Sequence, residues 1–521
     1  MSRRSLFSTV ACLLLGALAA NASPDDTRIL TPPDYTTFLP PGAGRSYRDP
    51  VFRTNITRIT DATHTTDFAN SVRNLTWIEN EYSTASPFNN DNSRLILVHE
   101  SYFGLYDGKG KALGNLPLEM NASSEPRWSR RNNSTLYYRR GNQLKSYNVS
   151  TAATNVVHTF GHYSSISGKG QMDISLDGDH FVLVGDSRYV FVYTLSTDTE
   201  GRVFDTGGSF GVVSITPDNS VTISWLQAGL GLRNGIELFD GDMNFVRQLT
   251  HAGGHMHMGV DVGGESVLIW TNSADPQPIP NCNNGIVKVR IGDATQTCLL
   301  ALDWSLAVHI SAADNTWAFA ETYNPSDVIP PAGWFPYTNE LLQIKLDGSE
   351  IRRLAHHRSR PLDSTVPPFY DSYVYQPKVT ASRDGALIVY GSNFGLQVIL
   401  GYPHPYADTY LIATGISVPT GLQQPVNTTP PLITGAAQQG QTLTASPGVW
   451  SGNPTAYGYQ WLRCNRGGSN CAGIRGAASA TYLLVPDDSG KTLRVAVTVS
   501  NSAGSATAAS VPTSVVTSAP L

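Results

Sequence analysis

The sequence has little charge, and neither sign predominates. Charged residues make up 15% of the 521 residues, and 36 Lys and Arg against 41 Asp and Glu leave a net charge of −5. Nucleic acids and anionic membrane surfaces are bound by concentrated positive charge. The low and balanced charge therefore disfavours a nucleic-acid-binding protein, and we expect no nucleic acid among its partners.

The apolar stretch near the N-terminus is too short to span a membrane. It covers residues 6–20, whereas a membrane-spanning helix needs about 20 apolar residues. Arg3 and Arg4 precede it, and Ala20-Asn21-Ala22 follows it. A basic start, a short apolar core and a small-residue cleavage site are the three parts of a secretory signal. We predict a signal peptide at residues 1–22 and a secreted or periplasmic protein without a membrane span.

Cysteine is scarce, with five in the whole chain, and Cys12 lies within the predicted signal peptide. The four that remain are an even number, which favours disulfides in an oxidising compartment. Their spacing predicts the pairs Cys282–Cys298 and Cys464–Cys471, each of which closes a short loop. A zinc site is the alternative, although neither pair has the two-residue spacing of a common zinc knuckle.

Turn-forming and aromatic residues are abundant. The chain has 47 Gly, 32 Pro, 9 Trp, 23 Tyr and 17 Phe, which is typical of a large folded protein rich in turns. A repeat recurs: a short strand, a turn of the Ser/Thr/Asn-x-Asp-Gly kind, and a strand of β-branched and aromatic residues, as in residues 173–184 and 379–390. Seven copies follow one another, most of them about 40 to 50 residues apart, which is the period of a four-stranded propeller blade.

This repeat predicts an all-β protein. Its largest domain, residues 45–416, is predicted to be a seven-bladed β-propeller, and residues 23–44 form an N-terminal segment before it. A β-sandwich array is the alternative, but it would not explain the regular spacing. Residues 417–431 are rich in Pro and Thr, which predicts a linker.

Residues 432–521 form the last predicted domain. The motif Trp461-Leu462-Arg463-Cys464, an Asp-x-Gly motif and residues 500–504 resemble those of bacterial immunoglobulin-like modules of secreted proteins. The resemblance implies an immunoglobulin-like β-sandwich that serves as a spacer or adhesive module. Cys464 and Cys471 are too close in the chain to form the usual disulfide between the two sheets.

The blade pattern also predicts where a binding site lies. The strand entering each turn begins at the propeller face to which the next strand returns, so polar residues at these strand ends converge on one mouth. The alternative is that strand ends are polar only because they are exposed to solvent. The residues predicted to line the mouth are Tyr82, Glu125, Arg127, Asp173, His255, His257, His309, Gln376 and Lys378 on entering strands, and His99, Arg139, Arg140, Asp186, Arg188, Asn272, Glu321, Tyr323 and Asn393 on returning strands.

Two histidines in this set share one side of an extended segment. Residues that alternate along a strand face the same way, so His255 and His257 point to one side. With His309 and Gln376 from later blades, they are predicted to hold one divalent metal ion, Ca²⁺, Mn²⁺ or Zn²⁺, or to supply a proton-transfer group. Structural histidines with satisfied hydrogen bonds are the alternative.

Several of these motifs together resemble a known group of proteins. Gly254-His255-x-His257, His309-Ile310-Ser311, Leu346-Asp347-Gly348 and Ser382-Arg383-Asp384-Gly385 are similar to motifs of TolB-type propellers. That group includes the oligogalacturonate, ulvan and rhamnose-glucuronate lyases. Oligogalacturonate lyases carry metal-binding His and Gln residues near the turn of the last blade. This chain has Gln376-Pro377-Lys378 there without a following His-x-His, which departs from the pattern.

The resemblance implies a secreted polysaccharide lyase that cleaves a uronate-containing polysaccharide by β-elimination. A cation must neutralise the sugar carboxylate, a base removes the adjacent proton, and an acid protonates the leaving oxygen. His99 occupies the place of a His in the ulvan-lyase-like pattern and is the predicted base. Tyr323 is its predicted acid partner. The residues predicted to bind the substrate are Arg139 and Arg188 as carboxylate clamps, with Tyr82, Arg127 and Lys378.

Two other functions remain open. A non-catalytic exported propeller could bind glycan or protein, with the immunoglobulin-like domain as its spacer. A glycoside hydrolase would need two carboxylates about 5 to 10 Å apart, and Glu125, Asp173 and Glu321 are the candidates. For the lyase, the expected partner is an acidic polysaccharide or oligosaccharide, and we expect a monomer.

Overall fold

Strands dominate the computed structural model, which describes residues 21–22, 26–169, 173–362, 375–416, 425–451, 454, 456–501 and 504–518. In this part of the chain the helices are α1 (Leu396–Leu400) and three short 3₁₀ segments, Ala62–His64, Ala122–Ser124 and Pro486–Asp488. The predicted all-β class is confirmed. Most of the predicted signal peptide and residues 417–424 of the predicted linker lie outside the described residues.

The N-terminal and propeller strands run from β1 to β30. They are β1 (Asn21–Ala22), β2 (Arg45–Arg48), β3 (Asn55–Arg58), β4 (Arg94–His99), β5 (Tyr102–Asp107), β6 (Ala112–Asn115), β7 (Arg127–Trp128), β8 (Thr135–Arg140), β9 (Gln143–Asn148), β10 (Ala153–Thr159), β11 (Ile166–Ser167), β12 (His180–Gly185), β13 (Tyr189–Thr194), β14 (Thr199–Glu200), β15 (Phe204–Asp205), β16 (Phe210–Ile215), β17 (Val221–Trp225), β18 (Ile236–Phe239), β19 (Phe245–Thr250), β20 (Met256–Val260), β21 (Ser266–Thr271), β22 (Ile286–Arg290), β23 (Gln296–Leu300), β24 (Ala307–Ala312), β25 (Trp317–Tyr323), β26 (Glu340–Lys345), β27 (Ile351–His356), β28 (Thr380–Ala381), β29 (Leu387–Ser392) and β30 (Asp408–Ala413).

These strands form small antiparallel sheets, seven of which follow one another among the described residues of this region. In chain order they are β4 to β6, β7 to β10, β11 to β15, β16 to β19, β20 to β23, β24 to β27 with β1, and β28 to β30 with β3 and β2. The last sheet joins the two ends of the region, because β3 pairs with β30 in the register Ile56↔Ile412. Pairing of this kind leaves few sheet edges exposed.

The middle strands are buried on both faces. All five residues of β17 are buried, as are five of the six in β12 and in β21. Each sheet packs against its neighbours, so apolar residues run without alternation along these strands. Phe191 of β13 packs in one core with Val213 of β16 and Ile223 of β17. Burying one such side chain stabilises the fold by about 1.5–3 kcal/mol.

The turns between the first two strands of several sheets meet around a common axis. Arg130, in the turn before β8, forms ion pairs with Asp173 and Asp314, which lie in turns of two other sheets. Arg383, in the turn before β29, pairs with Asp173 at 3.2 Å. Arg383 also donates a hydrogen bond to the carbonyl oxygen of Trp128 at 2.8 Å. These contacts join sheets that are far apart in the chain, which is the arrangement of a propeller-like fold.

Both predicted disulfides are confirmed. The Sγ atoms of Cys282 and Cys298 lie 1.96 Å apart, and those of Cys464 and Cys471 lie 2.00 Å apart. The first pair ties the loop before β22 to β23, and the second closes a loop after a C-terminal strand. Within the described residues, no helix has the length and hydropathy needed to cross a membrane. The two disulfides are consistent with an oxidising, extracytoplasmic compartment.

The C-terminal module has its own core, enclosed by small sheets and the 3₁₀ segment Pro486–Asp488. Trp461 is fully buried there with Leu443 and Val495, and it stacks on Tyr482 with the ring centroids 5.6 Å apart. Its strands are β31 (Val426–Thr429), β32 (Leu432–Thr434), β33 (Thr442–Ser446), β34 (Val449–Ser451), β35 (Ala456–Cys464), β36 (Ala472–Gly473), β37 (Thr481–Leu483), β38 (Thr492–Asn501) and β39 (Gly504–Ala509). They form the sheets β31-β34, β32-β33-β37 and β36-β35-β38-β39.

Candidate functional site

Ionisable and aromatic side chains from several sheets meet at one end of the inner strands. We name this group the mouth cluster. His255 precedes β20, His309 lies on β24, and Lys378 precedes β28. The mouth cluster consists of Glu79, Tyr82, His255, His309, Glu321, Tyr323 and Lys378.

A carboxylate fixes the orientation of the central histidine. Strands β24 and β25 pair His309 directly with Glu321, so both side chains lie on the same face of the sheet. His309 Nδ1 donates a hydrogen bond to Glu321 Oε1. Glu321 Oε2 accepts a second hydrogen bond, 2.9 Å long, from the backbone N–H of Val379. Both side chains are 0% exposed, and His309 Nε2 has no hydrogen-bond partner among the described residues.

His255 is held in a single protonation pattern. Its Nδ1 donates a hydrogen bond to the carbonyl oxygen of Val308, and a carbonyl oxygen can only accept, so Nδ1 carries a proton. Burial and the neighbouring His309 lower the pKa of His255 below its usual value. The neutral ring therefore presents a lone pair on Nε2. Because His255 is only half-buried, this nitrogen is the best-placed general base of the cluster.

Aromatic rings surround the histidines. The rings of His255 and His309 are stacked, with centroids 4.4 Å apart and planes inclined by 19°. Tyr323 stacks on the same His309 at 5.7 Å, and Tyr82 meets it edge-on at 5.5 Å. Tyr323 also lines a small cleft together with Gln376. A phenol group thus lies beside the imidazoles, where it can act as an acid partner.

A buried ion pair completes the mouth cluster. Lys378 Nζ lies 2.7 Å from Glu79 Oε1, and Lys378 is 2% exposed. The backbone carbonyl of Lys378 accepts a 2.6 Å hydrogen bond from Asn80 Nδ2. Burial raises the pKa of Glu79, and the neighbouring Lys378 ammonium opposes that rise. Glu79 Oε2 is buried and has no hydrogen-bond partner among the described residues.

Two arginines lie along the next inner strands. Arg127 makes a two-pronged contact with Glu81, at 2.7 and 3.2 Å, and Glu81 directly precedes Tyr82 in the chain. Arg139 forms an ion pair with Glu125. Burial lowers the pKa of Arg139 to about 9, an effect that the negative charge of Glu81 opposes. Each of these buried guanidinium groups is thus paired with a carboxylate.

Other predicted site residues lie elsewhere. His99 Nε2 is 2.6 Å from the hydroxyl of Tyr106, and burial lowers the pKa of His99 to about 4. The exposed Arg188 pairs with Asp205 at 2.6 Å. The hydrogen bond and ring contacts of His99 thus join it to Tyr102 and Tyr106. His257 Nδ1 accepts a 2.6 Å hydrogen bond from the backbone N–H of Ala312, and its ring faces the axial turns.

The four donors predicted for a metal ion do not fit one ion. A common ion would lie about 2.0–2.1 Å from each ligating nitrogen, so the lone pairs must converge. The stacked rings of His255 and His309 direct their in-plane lone pairs along nearly parallel planes instead. His257 already uses Nδ1 to bind Ala312. No three His, Cys, Asp or Glu residues in the described part of the chain could hold a metal ion together.

Sequence reasoning missed several charged residues that the fold brings to the site or its axis. Glu79 and Glu81 precede a strand end that was assigned to Tyr82 alone. Arg130 and Asp314 were not among the predicted site residues, although their side chains form an ion pair at the axis. A signal for two of the axial residues exists in the repeat, because Arg130 and Arg383 each follow the Ser that begins its turn, Ser129 and Ser382.

Comparison with known proteins gives similarity only at the level of structure. No protein-family model matches the chain, and no curated protein matches it. An oligogalacturonate lyase from Vibrio parahaemolyticus is similar with a TM-score of 0.50 and 12% identity, covering 71% of this chain and 96% of that chain. An oligogalacturonate lyase in complex with manganese has a TM-score of 0.49 and 14% identity, and the match covers 72% of this chain and 96% of that chain. U3-55K has a TM-score of 0.41 and 10% identity, covering 69% and 98%.

The likeness to the Vibrio enzyme concerns the fold. It covers most of this chain and nearly all of the similar one, although few residues are identical. It therefore supports the propeller-like arrangement inferred from the sheets and their axial contacts, and function must be argued from the site. The chain has an all-β, propeller-like fold of the kind found in oligogalacturonate lyase.

Proposed function

We propose that this protein is an exported polysaccharide lyase that cleaves a uronate-containing polysaccharide by β-elimination at the mouth cluster. The observation that carries the proposal is the fixed tautomer of His255, whose Nε2 lone pair lies at a half-buried position beside His309 and Tyr323. The fold shared with an oligogalacturonate lyase makes acidic sugars the first substrates to test.

The reaction assigns each group a separate task. His255 Nε2 removes the proton next to the sugar carboxylate, and the electron pair of that C–H bond forms a carbon–carbon double bond. The bond to the leaving oxygen breaks, and this oxygen takes a proton from the Tyr323 hydroxyl. Negative charge that develops on the carboxylate is stabilised by cationic side chains of the mouth. Proton and electron pair are thus balanced without an oxidant or reductant.

His255 replaces His99 as our proposed base. His99 is 4% exposed, and its Nε2 is already hydrogen-bonded to Tyr106. A base must reach the proton that it removes within hydrogen-bond distance. His255 presents an unprotonated nitrogen at a more open position, so its geometry suits the task better.

We also propose the architecture around this site. The seven sheets between residues 45 and 416 are the blades of one seven-bladed ring, and residues 432–521 are an immunoglobulin-like spacer. Residues 1–22 direct export, and the folded protein is a monomer. The two disulfides support the oxidising compartment that export implies.

The proposal predicts that the purified protein forms an unsaturated sugar product, which is measured by its ultraviolet absorbance. The panel of substrates comprises pectin, ulvan, alginate and glucuronan. With the reactive substrate, His255→Gln should lower kcat/KM by about 100-fold or more, since general-base catalysis contributes 10²–10⁴-fold. His64→Gln, which removes an exposed imidazole far along the chain, is the matched control and should retain wild-type activity.

Two outcomes contradict the proposal. The absence of product with every substrate of the panel would reject the lyase, and binding of one of them without turnover would identify a glycan-binding propeller. Equal activity of His255→Gln and the wild type would reject His255 as the base.

A further inference from the structure

One tryptophan differs from all the others in its exposure. The chain has nine Trp residues, all in the part that the structure describes, and Trp304 alone is exposed, at 63%. Trp128, Trp270 and Trp461, by contrast, are fully buried. The indole is a large apolar ring system, and Trp is highly buried on average in folded proteins. An exposed indole beside a site is therefore a candidate for contact with a ligand.

Trp304 lies at the same end of the sheets as the mouth cluster. In the register of the sheet β20 to β23, Leu300 of β23 is level with Thr271 of β21. The backbone N–H of Thr271 donates a 3.0 Å hydrogen bond to the carbonyl oxygen of His255. The outermost strand thus ends where His255 lies, and residues 301–306 lead from there to the inner strand β24.

The chain after Trp304 leads directly to the groups assigned to the reaction. Ala307 begins β24 and is paired with Tyr323, and the carbonyl oxygen of Val308 accepts the hydrogen bond from His255 Nδ1. Three residues of chain span at most about 11 Å, and the Cα atoms of paired residues lie about 4.5–5.5 Å apart. The Cα atom of Trp304 is therefore within about 16 Å of that of Tyr323, a distance that a short stretch of polysaccharide can span.

Hydrogen bonds hold the turn that carries Trp304. Asp303 Oδ1 accepts hydrogen bonds from the backbone N–H and the hydroxyl of Ser305, at 2.9 and 2.6 Å. Asn284 Nδ2 donates to the carbonyl oxygens of Asp303 and Leu306, at 2.7 and 2.8 Å, and Leu306 is buried. An aromatic side chain on a fixed turn offers a large contact area and loses little conformational entropy on binding.

A polar residue lies beside this turn. The carbonyl oxygen of Asn283 accepts a 3.2 Å hydrogen bond from the backbone N–H of Leu302, and Asn283 is exposed. It directly follows Cys282, which the disulfide to Cys298 fixes. An amide donates and accepts hydrogen bonds, as sugar hydroxyls require. The electron-rich face of an indole attracts the weakly positive C–H groups on the face of a pyranose ring. Trp304 and Asn283 thus supply the two kinds of group that bind sugars.

We propose that the exposed indole of Trp304 stacks on a sugar ring of the polysaccharide at a subsite outside the reactive sugar at His255. This inference rests on the proposed function and names a further specificity-determining residue of the same site. The sugar on Trp304 undergoes no reaction. Only a chain long enough to reach from His255 to Trp304 covers the indole, so the subsite makes the protein prefer long chains to the shortest oligosaccharides.

The first test measures binding by calorimetry in the His255→Gln background, which prevents turnover. The ligands are oligomers of two and of six sugar units prepared from each polymer of the panel. We expect the hexamer to bind more tightly than the dimer. Adding Trp304→Ala should lower the affinity for the hexamer by about tenfold, through the lost stacking contact, and the affinity for the dimer by less than twofold. Trp304→Phe keeps a ring and should stay within about threefold for both.

Phe245→Ala is the matched control. Phe245 is also an exposed aromatic residue, but it lies on β19, the outermost strand of its sheet, and its removal should change neither affinity. Thermal unfolding checks that each variant is folded. An unchanged hexamer affinity in Trp304→Ala, an equal loss for dimer and hexamer, or failure of the parent protein to bind any of the oligomers would overturn the inference.

Kinetics separate this inference from the proposed function. With the reactive polymer, Trp304→Ala in the otherwise wild-type protein should raise KM by about tenfold and change kcat less than twofold, because a contact made equally in the ground state and the transition state affects only KM. An unchanged KM would overturn the subsite and leave the lyase intact. Absence of product, with hexamer binding that depends on Trp304, would reject only the lyase activity.

Discussion

At the scale of single residues, burial decides which histidines can act as bases. His255 is half-buried and keeps a lone pair on Nε2 at neutral pH, because Nδ1 is committed to a carbonyl oxygen. His309 is fully buried and oriented by Glu321, and its ring stacks on the ring of His255. His99 is buried in the first sheet against Tyr106. The three histidines thus differ in their chemistry because they differ in burial and in hydrogen-bond partners.

The lowered pKa of His99 predicts a specific pH dependence of stability. Its pKa is about 4 in the folded protein, below the ordinary value of 6.5, so the unfolded chain binds the proton more tightly. The contribution of His99 is fully present above pH 6.5 and is lost as the pH falls toward 4. About 2.5 pKa units correspond to about 3 kcal/mol of unfolding free energy.

The variant His99→Gln tests this, because Gln keeps a side-chain N–H for Tyr106 and does not titrate. Urea unfolding is measured between pH 7 and pH 4. The loss of unfolding free energy over this interval should be smaller in His99→Gln by about 3 kcal/mol. The same loss in both proteins would mean that His99 has its ordinary pKa.

At the scale of strands, the repeat in the sequence predicts much of the fold. Turns such as residues 175–178 and 382–385 and the β-branched runs after them indicate hairpins through local chemistry, and strands β12 and β29 follow them. The disulfide pairs followed from short spacing. Glu79 was not predictable in this way, because its partner Lys378 lies 299 residues away, and no local pattern reports such a contact.

The same limit applies to the axial residues and to His99. Residues in strand ends can be assigned to one mouth from the blade pattern, as with Tyr82, His309 and Tyr323. How far each of these side chains is buried cannot be predicted from the pattern. Burial depends on side chains of neighbouring sheets, which are far away in sequence. His99 ends a strand like the others, yet Tyr102 and Tyr106 enclose it.

Pairing of β3 with β30 predicts that an N-terminal strand stabilises the whole propeller region. Ile56 of β3 is fully buried with Tyr410 and Ile412 of β30. Ile56→Ala should lower the unfolding free energy by about 2–5 kcal/mol, through lost burial and a cavity. Denaturant unfolding measures this, and Ser46→Ala on the exposed strand β2 is the control. A loss no larger than that of the control would show that β3 is dispensable for closure.

At the scale of the molecule, buried charges at the axis connect turns from separate sheets. Arg130 pairs with both Asp173 and Asp314, and Arg383 pairs with Asp173. Each contact spans a long stretch of chain, so the network forms only when the sheets have assembled around the axis. Ion pairs of this kind define one assembled arrangement more than they add stability.

Arg130→Met should therefore be strongly destabilising, because it leaves the largely buried Asp314 carboxylate without its arginine and removes one of the two arginines that pair with Asp173. We expect a loss of about 3–5 kcal/mol in unfolding free energy, measured by denaturant titration. The double variant Arg130→Met/Asp314→Asn should recover part of this loss. Arg188→Met removes an exposed ion pair and should unfold like the wild type. Equal stability of Arg130→Met and Arg188→Met would contradict an axial role for Arg130.

The location of the site is tested most directly by a crystal structure of the His255→Gln variant with an acidic oligosaccharide from the reactive polymer. The account predicts a uronate sugar at the mouth cluster, with the C–H next to its carboxylate facing the side chain at position 255 and the leaving oxygen near Tyr323. An oligosaccharide bound away from the mouth cluster, with no sugar near position 255 or Tyr323, would contradict it.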